Sequence, residues 1–294
     1  MVSVIVPNFN HGAFLEERLD SILAQTFTDF EIIILDDCST DNSREVIAAF
    51  ASNPKVSRIV YNEKNSGSPF VQWRKGLELA CGDIIWIAES DDSCTPAFLE
   101  TLMPAFEADP DCVVSFCSSE MTGPVGEPLG IHPNLVGMPS LDMPGQRFNR
   151  RFMSRCNMVV NASSALFRKS AAMAVDNGYD TLGGYGDYMF WVGILEQGNV
   201  HYSDAPLNRF RFHSSNTTGR MTVSEKGTRE SLVTNRFLYR SGLVGPLRYA
   251  LKKTDLEYRL KYVCGAPGPS FPWNAAVALK RCKRLICRQK DALR

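Results

Sequence analysis

The residues of this chain best suited to chemistry are three carboxylates packed into positions 89–92. They directly follow the apolar run 84–88, which is typical of a buried strand. Open α/β sheets bind ligands beyond the carboxyl ends of their strands, so the pattern indicates a site. Neighbouring carboxylates repel one another unless a cation stands among them, and oxygen ligands suit Mg²⁺ or Mn²⁺. The alternative is a polar loop that caps a helix beginning near Pro96.

Composition excludes several classes of protein. The 294 residues allow one large domain or two small ones. Lys plus Arg equals Asp plus Glu at 32 each, so the basic excess of a nucleic-acid binder is absent and no nucleic-acid partner is expected.

The start MVSVIVPNFN is unlike a signal peptide, and no apolar run reaches the roughly 18–20 residues of a membrane span. We therefore expect a cytoplasmic protein. The nine scattered cysteines form no CxxC pair, which argues against zinc or redox chemistry.

Strand-like runs alternate with helical periodicity in the first 118 residues. This alternation predicts a mostly parallel sheet with right-handed crossovers, as in a nucleotide-binding α/β half. Leu15, Leu19 and Ile22 fall on one helical stripe, and Asn42 and Glu45 have the spacing of a capping box. The predicted strands are 2–6, 32–35, 56–61, 84–88 and 113–116.

The rhythm changes after residue 118. Residues 119–150 are rich in Gly and Pro and predict a long loop, which is either functional or mobile. A strand over 159–167, a helix from Ser170 and a last strand around 208–212 should follow. Helices are expected from about Glu225, separated by Gly245 and Pro246.

A second acidic site, Asp36 and Asp37, ends the second predicted strand. In a dinucleotide-binding fold such a residue holds a ribose, but the glycine fingerprint that should follow the first strand is missing. The backbone there cannot approach a pyrophosphate. Phosphate charge must then be met elsewhere, and a cation at Asp91 can do that.

Four motifs carry a family resemblance. VSVIVPNFN, LDDCSTD, the turn at 65–67 and GDIIWIAESDD, in this order and spacing, resemble the nucleotide half of family 2 glycosyltransferases, the inverting GT-A enzymes. The resemblance covers roughly residues 1–215. It implies a Rossmann-like α/β fold with a mostly parallel central sheet flanked by helices. Residues 1–118 would bind the nucleotide sugar, 119–215 the acceptor, and 216–294 would form a helical C-terminal extension.

The resemblance assigns roles in the nucleotide site. Pro7, Asn8 and Phe9 would line the base pocket, with Phe9 available to stack on the base. Asp37 would accept a hydrogen bond from the base, and Asp36 would support the turn.

The resemblance also assigns residues to the diphosphate and the metal. Glu89-Ser90-Asp91 matches the DxD motif of the family, with Glu in place of the first Asp. Asp91 would bind the Mn²⁺ or Mg²⁺ that bridges the diphosphate, with Asp92 beside it on the metal. Glu89 and Ser90 are assigned to the nucleotide, where Glu89 either contacts the ribose, supports another contact or does neither. Arg74 either contacts phosphate or lies on a solvent-facing helix.

The later segments of the family supply a base and a third metal ligand. Asp187, in the segment Gly-Asp-Tyr-Met-Phe-Trp, would take the proton of the acceptor hydroxyl, unless it is simply a helix cap. Asp180 is the spare candidate. Arg211 and His213 resemble an Arg-x-His segment, so Arg211 would contact the diphosphate and His213 would bind the metal, unless the histidine is packed in the protein.

The function implied is metal-dependent, inverting transfer of a sugar from a UDP-sugar to a glycan or lipid-linked acceptor, in bacterial surface polysaccharide synthesis. A sugar-phosphate nucleotidyltransferase is one alternative, although its Gly-rich basic loop is not present in PNFNHG. A non-catalytic nucleotide-sugar-binding protein is another, because Gly186 stands where the family has Glu. The basic residues of 280–294 predict either a solvated helix or one that contacts the inner face of the membrane.

Overall fold

The computed structural model describes residues 1–176, 178–213 and 224–262. Its strands are β1 Val2–Asn8, β2 Phe30–Asp36, β3 Val56–Tyr61, β4 Ile84–Ile87, β5 Ser93–Cys94, β6 Cys112–Thr122, β7 Pro128–Ile131, β8 Leu141–Pro144, β9 Ala165–Arg168 and β10 Asn199–Arg211. Its α-helices are α1 Gly12–Leu23, α2 Ser43–Phe50, α3 Pro69–Leu79, α4 Phe98–Leu102, α5 Pro104–Ala108, α6 Gly145–Phe148, α7 Lys169–Met173, α8 Gly186–Leu195, α9 Glu225–Arg240 and α10 Pro246–Tyr262.

All the strands named above join one sheet, in the order β3-β2-β1-β4-β9-β6-β10-β5, with β7 paired to β6 and β8 paired to β10. The four strands β3, β2, β1 and β4 are parallel to one another. Their carboxyl ends therefore meet at one edge, which places Asn8, Asp36 and residues 89–92 together. The predicted α/β architecture and the location of the carboxylate cluster at a sheet edge are both confirmed.

The second half of the sheet is mixed. β9 runs antiparallel to both β4 and β6, whereas β6 and β10 are parallel. The strand predicted over 159–167 begins only at Ala165, because the Asn161 side chain accepts a hydrogen bond from the Ser163 amide and starts a 3₁₀ turn over Ala162–Ser164. The last strand is longer than predicted, since β10 begins at Asn199.

Residues 119–150 are structured rather than a long loop. β6 continues to Thr122, turns through Gly126 (φ 86°) and returns as β7. β8 then pairs antiparallel with β10, and α6 leads into a π-helical turn over Asn149–Met153. Pairing with strands already in the sheet supplies the hydrogen bonds that this Gly- and Pro-rich sequence does not suggest locally.

Two apolar layers cover the faces of the sheet. On one face, Leu15 and Leu19 of α1 pack with Phe98 of α4 against Val4 and Trp86. The opposite layer contains side chains of α3 and α8, among them Trp73, Phe190 and Trp191. The predicted α1 stripe is confirmed.

The capping box at Asn42 is not formed. Asn42 makes no side-chain cap, and the Asp41 carboxylate instead accepts hydrogen bonds from the amides of Ser43 (3.0 Å) and Gly12 (2.8 Å). One carboxylate thereby ties together the beginnings of α1 and α2, where the positive ends of the helix dipoles favour it.

The C-terminal extension is helical over the part that the structure describes. α9 packs against α10, with Tyr239 stacked on Tyr249 at 4.5 Å between ring centroids. The basic stretch 280–294 lies outside the described residues. Among the described helices, none is both long enough and apolar enough to cross a bilayer.

Trp86 lies at the centre of the first apolar layer. It is fully buried, stacks on Phe98 at 4.4 Å and donates a hydrogen bond from Nε1 to the Ser163 carbonyl oxygen at 2.9 Å. Trp86→Ala should lower the free energy of unfolding by about 3–5 kcal/mol, because the cavity cannot fully collapse. Leu247→Ala, at a side chain that is 74% exposed, should change it by less than about 0.5 kcal/mol. Urea titrations of both variants measure the difference, and a loss below 1 kcal/mol for Trp86→Ala would contradict this description of the core.

Candidate functional site

One carboxylate and two imidazoles converge beyond the carboxyl ends of β1 and β4. Asp91 Oδ2 lies 2.9 Å from His213 Nε2, and Asp91 Oδ1 lies 4.0 Å from His11 Nδ1. The possible ligand atoms of His11, Asp91 and His213 all lie within 4.8 Å of one another. Among the described residues, these three side chains form a cluster that could hold a metal ion. The structure thus brings Asp91 and His213 together as the sequence predicted, and adds His11.

The donor set fits a divalent cation. Burial raises the pKa of Asp91, but the hydrogen bond with His213 and the charges of His11 and His213 together hold it below its usual value. Burial lowers the pKa of His11, which Asp91 partly offsets, so its imidazole is neutral at pH 7. Neutral imidazole and ionised carboxylate are the forms that bind metals. Two nitrogen ligands beside one oxygen ligand favour a transition-metal ion such as Mn²⁺ over Mg²⁺, which prefers oxygen.

Asp92 points away from this cluster. It is buried, and its Oδ2 accepts hydrogen bonds from Asn161 Nδ2 (2.8 Å) and Ser163 Oγ (2.7 Å). Its Oδ1 accepts the Arg211 amide at 3.0 Å. Burial and the neighbouring Asp91 charge raise its pKa to about 6. Protein donors thus engage both of its oxygens, and the metal role expected from the sequence stays a prediction.

Glu89 contacts α3, and Ser90 contacts the metal cluster. Glu89 Oε1 accepts a hydrogen bond from Trp73 Nε1 at 2.9 Å, and Ser90 Oγ contacts His11 Nδ1 at 2.9 Å. Burial and the Asp91 charge raise the pKa of Glu89 to about 8, while Trp73 and the cation Arg18 act in the opposite direction. Arg18 is fully buried, with its guanidinium 4.8 Å from the Trp86 ring. The charge of Arg18 lowers the pKa of both Glu89 and Asp92, opposing the burial that raises them.

The predicted base pocket is built around two buried aspartates. Asp36 accepts hydrogen bonds from Asn8 Nδ2 (2.9 Å) and the Ser39 amide (3.1 Å), so it supports the turn as expected. Asp37 is held by the segment 62–72. Its oxygens accept hydrogen bonds from Asn62, from Ser66 through both amide and hydroxyl, and from Gln72, at 2.7–3.1 Å.

The two turns beside this pocket adopt backbone conformations that side chains usually avoid. Asn10 has φ 55° and Cys38 has φ 65°. Pro7 lies within β1, and Phe9 between it and Asn10 is 44% exposed, as a stacking platform requires. Such strain is concentrated at functional sites, where surrounding structure holds it in place.

Two arginines assigned to phosphate have protein partners instead. Arg74 Nη2 lies 2.9 Å from Asp180, the spare base candidate. Arg211 is buried, and its guanidinium donates to Glu17 (2.6 Å) and to the Asp91 carbonyl oxygen (2.9 Å). Each guanidinium group is therefore bound to protein acceptors at the position where the sequence predicts a phosphate contact.

Asp187 lies in the first turn of α8, after the capping residue Tyr185, and makes no cap itself. It is half-buried in a pocket of about 270 Å³ that His132 and Asn157 also line. Asn157 Nδ2 donates to Asp187 Oδ2 at 2.8 Å. Burial raises the pKa of Asp187 to about 7, against the hydrogen bonds from the Tyr188 amide and Asn157. A carboxyl group with this pKa suits a general base near neutral pH.

One segment connects this pocket to the metal cluster. Asn157 holds Asp187, and Asn161 and Ser163 hold Asp92, the neighbour of Asp91. Six residues of chain span at most about 21 Å, which sets an upper limit on the separation of the segments that hold Asp187 and Asp92.

A carboxylate of the C-terminal extension holds the turn before α8. Glu230 of α9 is buried and accepts hydrogen bonds from the amides of Gly183 (2.9 Å), Gly184 (2.9 Å) and Tyr185 (3.2 Å). Three converging amides at the beginning of a helix form a site that favours an anion. The extension thus fixes the segment that carries Asp187.

Sequence reasoning missed His11, Trp73, Asn157 and Glu230. His11 follows β1 directly, so its place at the sheet edge was a signal that could have been used. Asn157 and Glu230 carry no such signal, because their partners lie 30 or more residues away along the chain.

A mixed α/β sheet with a carboxylate–histidine cluster beyond β1 and β4 defines a GT-A-type fold. Residues 3–175 match Glycosyl transferase family 2, and the chain belongs to this family. Glycosyltransferase GlyG of Streptococcus pneumoniae serotype 4 is 37% identical over 115 residues, which cover 39% of this chain and 38% of GlyG. The chain spans half or less of the length of two curated relatives it matches, GlyG and the teichuronic acid biosynthesis glycosyltransferase TuaG of Bacillus subtilis.

Solved structures share the fold. TarS of Staphylococcus aureus, a poly(ribitol-phosphate) β-N-acetylglucosaminyltransferase, is 37% identical over 94 residues, 31% of this chain and 16% of TarS. Its 1–349 fragment with UDP-GlcNAc superposes with a TM-score of 0.64 at 20% identity, covering 87% of this chain and 72% of that one. Mannosyltransferase PcManGT of Pyrobaculum calidifontis, with GDP-Man and Mn²⁺, gives 0.59 at 18% identity, covering 97% and 80%. The expected fold class is confirmed.

The Glu230 contacts can be tested by amide hydrogen exchange. Glu230→Ala should speed exchange at Gly183, Gly184 and Tyr185 at least tenfold, because hydrogen bonds to a charged group contribute about 1.5–3 kcal/mol each. Glu230→Gln, which keeps one acceptor oxygen, should give an intermediate rate. Glu225→Ala removes an exposed acid paired with Arg229 on the same helix and serves as the control. Equal exchange in all four proteins would show that the turn does not depend on Glu230.

Proposed function

We propose that this chain is a metal-dependent inverting glycosyltransferase that uses a nucleotide-diphosphate sugar, with UDP as the nucleotide, and a glycan or lipid-linked acceptor. The observation that carries the proposal is the pairing of two sites through one segment: a His-Asp-His cluster at the sheet edge, and a carboxyl group of raised pKa in a separate pocket. TarS, whose fold is shared, binds UDP-GlcNAc, and relatives named for polysaccharide synthesis favour a surface glycan as product. The cytoplasmic location remains a prediction.

In the proposed mechanism, separate groups of residues bind the donor, hold the cation and activate the acceptor. Phe9 and the turn held by Asp36 receive the base, and His11, Asp91 and His213 would hold the cation. That cation would neutralise the departing diphosphate. Asp187 accepts the proton of the acceptor hydroxyl while that oxygen attacks the anomeric carbon from the face opposite the diphosphate. The hydrogen bond from Asn157 favours the ionised form of the Asp187 carboxylate and orients it.

The composition of the metal site can be tested by Mn²⁺ titration calorimetry. His11→Ala and Asp91→Asn should each weaken Mn²⁺ binding at least tenfold, because each removes one of three ligands. Asp92→Asn changes a side chain engaged by protein donors, so it should weaken Mn²⁺ binding less than either ligand variant, through displacement of the segment that carries His213. His201→Ala is the control, since that histidine pairs with Asp142 elsewhere. Loss of Mn²⁺ with Asp92→Asn but not with His11→Ala would favour the ligand set expected from the sequence.

The role of Asp187 can be tested by nucleotide diphosphate release across a panel of donors and acceptors. Asp187→Asn should lower kcat by about 10²-fold or more, since base catalysis contributes about 10²–10⁴. Asp180→Asn, which breaks the pair with Arg74, should retain most activity. Donor binding without turnover in the wild-type protein under every acceptor would instead favour a non-catalytic nucleotide-sugar-binding protein.

The pH profile provides a separate test. A base acts in its ionised form, so kcat/KM should rise with pH, reach half its maximum near pH 7 and fall about tenfold per unit below that. Asn157→Ala removes a hydrogen bond that favours the ionised form, so the midpoint should move to higher pH. A profile that is flat between pH 5 and 8 in the wild-type protein would argue against Asp187 as the base.

A further inference from the structure

A second cleft lies where the extension packs beside the sheet domain. Its volume is about 670 Å³, within the range of roughly 300–1,000 Å³ that small-molecule sites occupy. The charged side chains that line it are Arg155, Arg248, Lys252, Asp255 and Arg259. Four cations therefore face one anion.

The cations are concentrated by the helix geometry. Arg248, Lys252 and Arg259 are spaced by four and seven residues, so they share one face of α10. Arg155 approaches from the turn after the π-helical segment, and its carbonyl oxygen accepts a hydrogen bond from Arg248 Nη2 at 3.4 Å. Like charges at this spacing destabilise a helix. The whole chain has zero net charge, so this basic excess is not a general property of the protein.

This basic cleft adjoins the Asp187 pocket. Tyr185 and Tyr188 line both, on either side of Asp187 in the first turn of α8. A ligand held by the cations could therefore extend past the two tyrosines and bring another part of itself to Asp187.

We propose that the basic cleft binds a phosphate or diphosphate group of the acceptor while an acceptor hydroxyl reaches Asp187. This inference rests on the proposed function and names its acceptor class as a phosphorylated glycan or polyol. Guanidinium groups match phosphate oxygens in bidentate geometry, and three arginines line the cleft. A lipid-linked sugar diphosphate and a polyol-phosphate chain share this chemistry.

The cleft can be tested with inorganic pyrophosphate, titrated into the full chain in the presence of EDTA so that no metal contributes. The variant R155Q/R248Q/K252Q should bind pyrophosphate at least tenfold more weakly than the wild-type protein. These three side chains are exposed, and K252E offers a single change with the same expected direction. Absence of pyrophosphate binding by the wild-type protein would overturn the proposal. Unchanged binding by both the triple variant and K252E would also overturn it.

A matched control removes the same charge from another surface of the extension. Arg236, Arg240 and Lys253 line a separate crevice between α9 and α10. R236Q/R240Q/K253Q should bind pyrophosphate within twofold of the wild-type protein. Equal weakening in both triple variants would show that the charge acts as a diffuse cationic surface, and this would overturn the proposal. Equal loss of binding to phosphatidylglycerol vesicles in both variants, with no displacement by soluble probes, would overturn it likewise.

Two soluble probes separate the sources of the phosphate. Displacement of pyrophosphate by farnesyl diphosphate supports a lipid-linked diphosphate, whereas displacement by a ribitol-phosphate oligomer supports a polyol-phosphate chain. Displacement by neither would overturn the assignment to the acceptor.

Release of UDP from UDP-GlcNAc into water with Mn²⁺ distinguishes the two proposals. Unchanged release by the cleft variant shows that the donor site is intact. If the wild-type protein releases no nucleotide diphosphate from any donor, the proposed function fails, while the pyrophosphate result still decides whether the basic cleft binds anions.

Discussion

The buried carboxylate of Asp92 is the interaction on which the relation between the two halves of the sheet depends. Its partners Asn161, Ser163 and Arg211 lie 69, 71 and 119 residues away. A buried carboxylate without such donors would carry an uncompensated desolvation cost, so the contact favours the packing of these segments against one another. The same contact sets the metal cluster, because the Arg211 amide that binds Asp92 lies two residues before His213.

The first four strands and the edge where they meet could be predicted because the signal for each is local. An apolar run of four to seven residues predicts a strand, and parallel pairing brings the carboxyl ends together. Asp92 shows where this reasoning stops. The pattern at 89–92 does not distinguish a carboxylate that faces a metal from one that faces protein donors, since those donors come from distant segments.

The second half of the sheet was less predictable for a related reason. β7 and β8 are short and contain Gly or Pro, so their local preference for extended structure is weak, and pairing with β6 and β10 determines them. Glu230 illustrates the same limit within a predicted helix. Its position in α9 carries no local signal, yet it binds three amides of the turn that leads to the candidate base.

The direct succession of α8 and β10 affects which length changes the chain can tolerate. Asp187 and His213 are joined by a ten-residue helix, three connecting residues and a thirteen-residue strand. An insertion or deletion within this stretch would rotate or shift one chemical group relative to the other, because a single residue turns a helix by about 100° and reverses the facing of a strand. The β6–β7 turn carries neither group. Related chains should therefore differ in length there far more readily than between the base and the metal ligand.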